Sequence, residues 1–277
     1  MGRGRWLELH VGRALEDHPV SLFLSGCPLW VTAILIVMLP TVAATWGLIL
    51  VRRRVGLERL SSNNEVAGFK FAVVGVIYAV LLAFAVIVVW ERYNEAELTV
   101  VQEAGAATTL YRLAAGPEPD AVATRAAIGT YLRVVIERDW PRMAQEKGSP
   151  EANRALNELY AAAVRLTQGS SRQAPIGMEI FHQLDALTQA RRLRLHLAIG
   201  IVPVVLWEAL VLGGMLTVAF TYFFGTANLK AQVTMTGILA VVVCMGLFVI
   251  VSIDHPFTGP VHVDAGPLER VLSDFSG

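Results

Sequence analysis

The sequence predicts an all-α integral membrane protein, with four transmembrane helices and a helical bundle inserted between the second and third. Three observations carry this. The chain of 277 residues is 55% hydrophobic and only 17% charged, where soluble domains carry charge on about a quarter of residues. Its mean hydropathy is +0.53. The charge is also unevenly placed, with 13 of 23 basic and 13 of 23 acidic side chains between Glu91 and His196. Finally, four stretches with at most one charge each are long enough to cross a hydrocarbon layer of roughly 30 Å.

The order predicted is an N-terminal interfacial segment (1–27), two crossings (28–90), the soluble bundle (91–196), two more crossings (197–253) and a C-terminal tail (254–277). In the first segment Trp6, Leu7, His10, Val11 and Leu15 recur at helical spacing among charges, as an interfacial helix requires. Leu24-Ser25-Gly26-Cys27 imitates a lipoprotein processing site, but its apolar run is too short for a signal peptide. The first crossing, Pro28 to Val51, is stopped by Arg52, Arg53 and Arg54. The second, Val66 to Trp90, continues without a break through Tyr93, Ala96, Val100, Ala104, Ala107 and Tyr111 to Gly116-Pro117. That is one helix of about 50 residues, roughly 75 Å long. Apolar patterns around Ile128, Tyr131 and Leu132, and from Ala152 to Leu166, give two further amphipathic helices. The last bundle helix carries Ile180, Leu184 and Leu187 and is expected to pass through Arg191, Arg192 and Arg194 into the third crossing, Leu197 to Tyr222. The fourth, Ala231 to Ile253, closes at Asp254-His255-Pro256. Kinks are expected at Pro40 and Pro203.

Four crossings leave both termini and the bundle on one face of the membrane. The short loop Arg52 to Glu65 is arginine-rich, which by the positive-inside rule argues that it is cytoplasmic. Arg3, Arg5, Arg13 and the Arg191–Arg194 cluster pull the other way, so the side of the bundle stays open.

Equal numbers of basic and acidic residues give no global field for nucleic acid. No phosphate-binding loop, nucleophile elbow, zinc-protease motif or Cys-x-x-Cys pair occurs, so no catalytic residue, metal site or cofactor is assigned. Asp254-His255-Pro256 reads as a helix end. Polarity within the crossings is costly and therefore informative. Lys70 lies one turn into the second crossing, and Glu208 falls near the middle of the predicted third. Lys70, Val74, Ile77, Leu81 and Phe84 form a stripe that either lines a pathway gated by dewetting or meets another helix or lipid. Gly68, Ala72, Gly75, Ala79 and Ala83 form a small-residue face suited to close helix packing.

The run Asn63-Asn64-Glu65-Val66-Ala67-Gly68-Phe69-Lys70-Phe71, with Gly75, Tyr78, Phe84, Trp90 and Glu103-Ala104, resembles the bestrophin-like family of bacteria and plants. Asp139-Trp140-Pro141, Arg191-Arg192, Trp207, Phe223-Phe224-Gly225 and Asp254-His255-Pro256-Phe257-Thr258-Gly259 extend the resemblance over about residues 60 to 260. It implies an oligomeric anion channel whose second membrane helix lines the pore, with the helical domain in the cytoplasm. No acidic cluster matches the calcium clasp of animal bestrophins. The expectation is a multi-pass protein of the inner (plasma) membrane, a homo-oligomeric channel for inorganic anions with the lipid bilayer as its other partner. Two other readings stand beside it: a membrane-anchored helical scaffold, and a proton-coupled transporter using Glu208.

Overall fold

The computed structural model describes residues 28–61, 64–169, 174–200, 202–259 and 261–275. The expected N-terminal helix and Cys27 lie outside these. Among the described residues the secondary structure is helical throughout, and four helices are long and apolar enough to cross a membrane. Contacts divide the chain into a unit of residues up to Glu91 with Gly200–Asp254, and a unit of Arg92–Ile199 with His255 onward.

In the first unit, α1 spans Leu29–Val55. Pro40 has no N–H to return to the carbonyl of Ile36, and the turn before it, Ile34–Met38, widens to π pitch. A short α2, Leu57–Ser61, leads to α3, the unbroken 50-residue helix Asn64–Leu113. The crossings α7, Val204–Phe220, and α8, Leu229–Ile253, complete this unit. Tyr78 of α3 is the anchor: its ring lies against Gly213 and Gly214, where an added Cβ would come within 2.8 Å of it. Its hydroxyl donates to the Leu210 carbonyl at 3.2 Å. Leu82 packs onto Gly246 of α8 in the same way. Tyr222 donates to the Ala44 carbonyl at 2.8 Å and so ties the end of the third crossing to α1. Asn64 makes two bonds with Gly225, donating to its carbonyl at 2.8 Å and accepting its N–H at 3.0 Å. This pins the start of α3 to the end of the third crossing, so the two run antiparallel.

The second unit packs the rest of α3 against α4, Pro119–Val134, α5, Pro150–Gly169, and α6, Ala174–Leu197. α4 continues through a π turn, Val135–Asp139, into Trp140–Met143. Val100, Ala104, Ala107 and Leu110 of α3 meet Ile128, Tyr131 and Leu132 of α4, Leu159 and Leu166 of α5, and Leu184 and Leu187 of α6, all buried. Ser149 caps α5, its hydroxyl accepting from the N–H of Ala152 at 3.2 Å. It also donates to Glu151 at 2.7 Å, which with the Glu151 backbone bond lowers that carboxyl below its ordinary pKa.

Two sequence expectations change here. The last bundle helix does not run into the third crossing: α6 ends at Leu197 and α7 starts at Val204. Pro203 stands at the N-cap and removes a donor, while the Asp254 carboxylate accepts the N–H of Val202 at 3.0 Å. Asp254 thus caps the start of α7 as well as closing α8. The C-terminal stretch, expected as a tail, contains a further helix, α9, Gly266–Asp274, whose Leu268 is buried. Phe275 just beyond it stacks on Tyr111 with ring centroids 3.7 Å apart.

Candidate functional site: the faces of the long helix and a buried charge network

Within the membrane unit, α3 has one face turned into its own protomer, carrying Ala67, Tyr78, Ala85 and Val89, all buried. At 3.6 residues per turn the opposite face carries Phe69, Val73, Val76, Val80, Phe84 and Ile87. These are large apolar side chains left open: Phe69 is 77% exposed, Val76 63% and Phe84 64%. The two sequence-predicted stripes fall between these faces, on roughly opposite flanks of the helix. On one flank Lys70, Ile77 and Phe84 are exposed, while Val74 and Leu81 are half-buried. On the other, Ala72, Ala79 and Ala83 are exposed, and Gly68 and Gly75 half-buried. A Cβ added at Gly75 would meet nothing within 4 Å, and one at Gly68 only the Phe224 ring at 3.9 Å. Within the crossings the glycines packed tightly inside the chain are Gly47 of α1, Gly213 and Gly214 of α7 and Gly246 of α8, and none belongs to the small flank of α3.

Glu208 lies four residues after the start of α7, about 6 Å along the helix. The break at Pro203 shifts the crossing toward the chain's C-terminus, so this exposed carboxylate sits near a helix N-terminus, where the dipole favours negative charge. Lys70 belongs to the end of α3 that Asn64 clamps to Gly225. Lys70 and Glu208 therefore occupy opposite ends of the membrane-spanning part and are not brought together. Between α1, α7 and α8 an apolar cavity of ≈ 550 Å³ is lined by Pro40, Ala44, Met215, Tyr222 and Cys244.

The second unit holds a cluster of buried charge. Arg194, fully buried, donates from Nε to Oε2 of Glu103 at 2.7 Å and from Nη2 to Oε1 at 3.2 Å. Its Nη2 also reaches Oδ2 of Asp139 at 3.3 Å. Arg191 donates from Nε to Asp139 at 2.8 Å and from Nη1 to Asn153 at 2.7 Å. Tyr131 donates to Glu103 at 2.6 Å, and the N–H of Ser149 to Asp139 at 2.6 Å. The Trp140 ring lies 5.0 Å from the Arg194 guanidinium. Burial, then the neighbouring Glu103 carboxylate, drive the Tyr131 pKa well above its ordinary value. Burial is the largest influence on Arg194 and opposes its charge, but Glu103, Tyr131 and Asp139 together raise the guanidinium pKa. Two arginines and two carboxylates cancel, every partner is hydrogen-bonded, and the cluster joins α3, α4 and α6. Its chemistry is structural: no group in it is open to a ligand.

The sequence reading treated Arg194 as part of a membrane-flanking cluster and did not pair it. A signal was present: Arg191 and Arg194 continue the buried face of Ile180, Leu184 and Leu187, and Glu103 lies on the buried face of α3 beside Val100 and Ala104. Among the described residues, no group of three His, Cys, Asp or Glu side chains can hold a metal ion.

Residues 38–268 match the Bestrophin-like domain. The chain belongs to the bestrophin-like family. The fold is also that of solved bestrophin homologues from Klebsiella pneumoniae. One, carrying a leucine-to-threonine mutation, aligns with TM-score 0.67 at 16% identity over 88% of this chain and 99% of its own. The form solved by Zn-SAD phasing aligns at 0.67 and 15% identity over 86% and 97%. A tryptophan-to-alanine mutant aligns at 0.64 and 16% identity, covering 95% of this chain and 98% of that one. No curated protein matches. The bestrophin-like match begins within α1, covers the other three membrane helices, reaches into both units and includes the residues of the charge network.

Proposed function

We propose that this bestrophin-like protein is an ion channel of the plasma membrane, assembled as a homo-oligomer around α3. The observation that carries the reading is the arrangement of faces on that helix. One face is bound to its own protomer, and the opposite one is apolar and open. The large flank of one α3, with Lys70, Val74, Ile77, Leu81 and Phe84, is shaped to seat on the small flank of the next, with Gly68, Ala72, Gly75, Ala79 and Ala83. A large stripe against a small one on opposite sides of one helix is a head-to-tail contact, the kind that closes into a ring. The ring then leaves Phe69, Val73, Val76, Val80 and Ile87 toward its axis, an apolar constriction of the type that gates by dewetting.

Purified protein in liposomes should pass ions, and detergent-solubilised protein should have an oligomeric mass. Gly75→Leu places a branched side chain in the small flank, at a position where a Cβ meets no other atom of its own protomer within 4 Å. It is expected to convert the oligomer to smaller species with the helical content unchanged, read by light scattering and circular dichroism. An oligomer of unaltered mass would remove the ring. A protein that assembles but passes no ions would support the scaffold reading instead.

The transporter reading makes a different demand on Glu208. With this carboxylate at the end of α7, Glu208→Gln is expected to leave ion flux and its pH response unchanged in liposomes. Loss of proton-coupled uptake in that variant, with passive flux retained, would favour a carrier.

A further inference from the structure

The open face of α3 ends in charge, and the sign of that charge has a consequence for selectivity. From Phe69 to Ile87 the face carries no polar side chain, so an ion on the ring axis meets only apolar groups there. One turn beyond Ile87, on the same exposed side, stands Glu91, itself exposed and with no hydrogen bond or ion pair to any described residue. Arg92, its neighbour in sequence, is turned away and bonds to Glu95 at 3.0 Å. At the other end Glu65 lies one turn before Phe69 on this face, and is also exposed. That end is mixed in sign, because Lys70, Lys230 and Arg52 to Arg54 share it. Lys70 sits on the flank, about a quarter turn from the open face. The Glu91 end has no such counterweight on the open face.

Resting on the α3-centred channel above, we infer that Glu91 is the selectivity-determining residue of the path and that the path prefers cations. In a ring each copy contributes one carboxylate at the edge of the apolar constriction. Side by side in a narrow, water-poor mouth, these groups raise the local concentration of cations and repel anions from the axis. The anion preference expected from the family resemblance and from Lys70 requires a basic group on the axis. Lys70, the basic residue of the membrane-spanning part of α3, lies on the helix-contact flank.

The test is the reversal potential of the full-length protein in planar bilayers under a KCl gradient. The wild type should favour K⁺ over Cl⁻ by roughly tenfold or more. Glu91→Gln, which keeps shape and removes charge, should bring the ratio toward unity. Glu91→Lys should carry it past unity to favour Cl⁻. Mass and circular dichroism of each variant confirm that the assembly persists, and Glu91→Gln covers the case in which the lysine variant fails to assemble. A wild type that conducts but favours Cl⁻ overturns the inference and leaves the channel standing. So does a ratio that both Glu91 variants leave unchanged, or one that moves more with Lys70→Gln than with Glu91→Gln. A wild type that passes no current overturns the channel itself, and the inference with it.

Discussion

Arg194→Ala is expected to cost about 3–5 kcal/mol of stability, the range for removing one partner of a buried ion pair. The loss is large because Arg194 serves two acids at once. Without it Glu103 keeps only the Tyr131 hydroxyl, and Asp139 keeps Arg191 and the Ser149 N–H. Glu103 is then a buried carboxylate with no cation, an arrangement that drives protonation or unfolding. Lysine should not rescue it, since one ammonium cannot reproduce the two-pronged contact to both Glu103 oxygens. A paired replacement, Glu103→Gln with Arg194→Met, removes both charges and is expected to recover part of the loss. The thermal unfolding midpoint of the detergent-purified protein, with hydrogen exchange in α4 and α6, reads these differences. A midpoint for Arg194→Ala within a degree or two of wild type would show that the network contributes little.

Gly225→Ala should be the most damaging single-methyl change in the membrane unit. A Cβ there would lie 2.7 Å from the Ser61 backbone nitrogen and 2.9 Å from the Leu60 carbonyl carbon. Backbone cannot swing aside as the tip of a side chain does, so the loop must move. Moving it breaks both Asn64 bonds, and it disturbs Gln232, which donates to the Phe224 carbonyl next door and accepts from Arg52. Overpacking of this kind costs about 1–3 kcal/mol before lost hydrogen bonds are added. Asn64→Ala removes the same clamp without the clash and should reproduce the smaller part of the effect. The measurement is the melting temperature and membrane yield of the two variants side by side. Unchanged values for Gly225→Ala would mean that the loop has room the geometry does not show.

The four crossings and the long α3 were legible because hydropathy and a 3.6-residue repeat are local properties, readable without knowing any partner. The break before Pro203 was less so. Proline alone fits both a kinked membrane helix and a helix start, and the deciding group, Asp254, lies 52 residues from Val202. α9 escaped notice because a nine-residue helix gives only two turns of pattern. The stripes on α3 were visible as periodicity, but periodicity does not say which face meets the protomer. That depended on Tyr78, a residue quoted for family resemblance, whose contacts with Gly213 and Gly214 orient the whole helix. The Glu103–Arg194 pair, separated by 91 residues, required the same kind of long-range knowledge.

The chain passes between its two units three times. The described residues 198–200, 202 and 203 between α6 and α7 are non-helical, as are Asp254 to Gly259 after α8. Only α3 makes the passage as uninterrupted helix. A helix holds its azimuth: every residue is fixed at roughly 100° from the one before, for the whole length of the rod. Along α3 the number of residues between two positions therefore sets which faces of that helix they occupy. One residue added within α3 would rotate every later position of that helix by roughly 100° relative to those before it, while the described residues before α7 are held at Val202 by the Asp254 carboxylate.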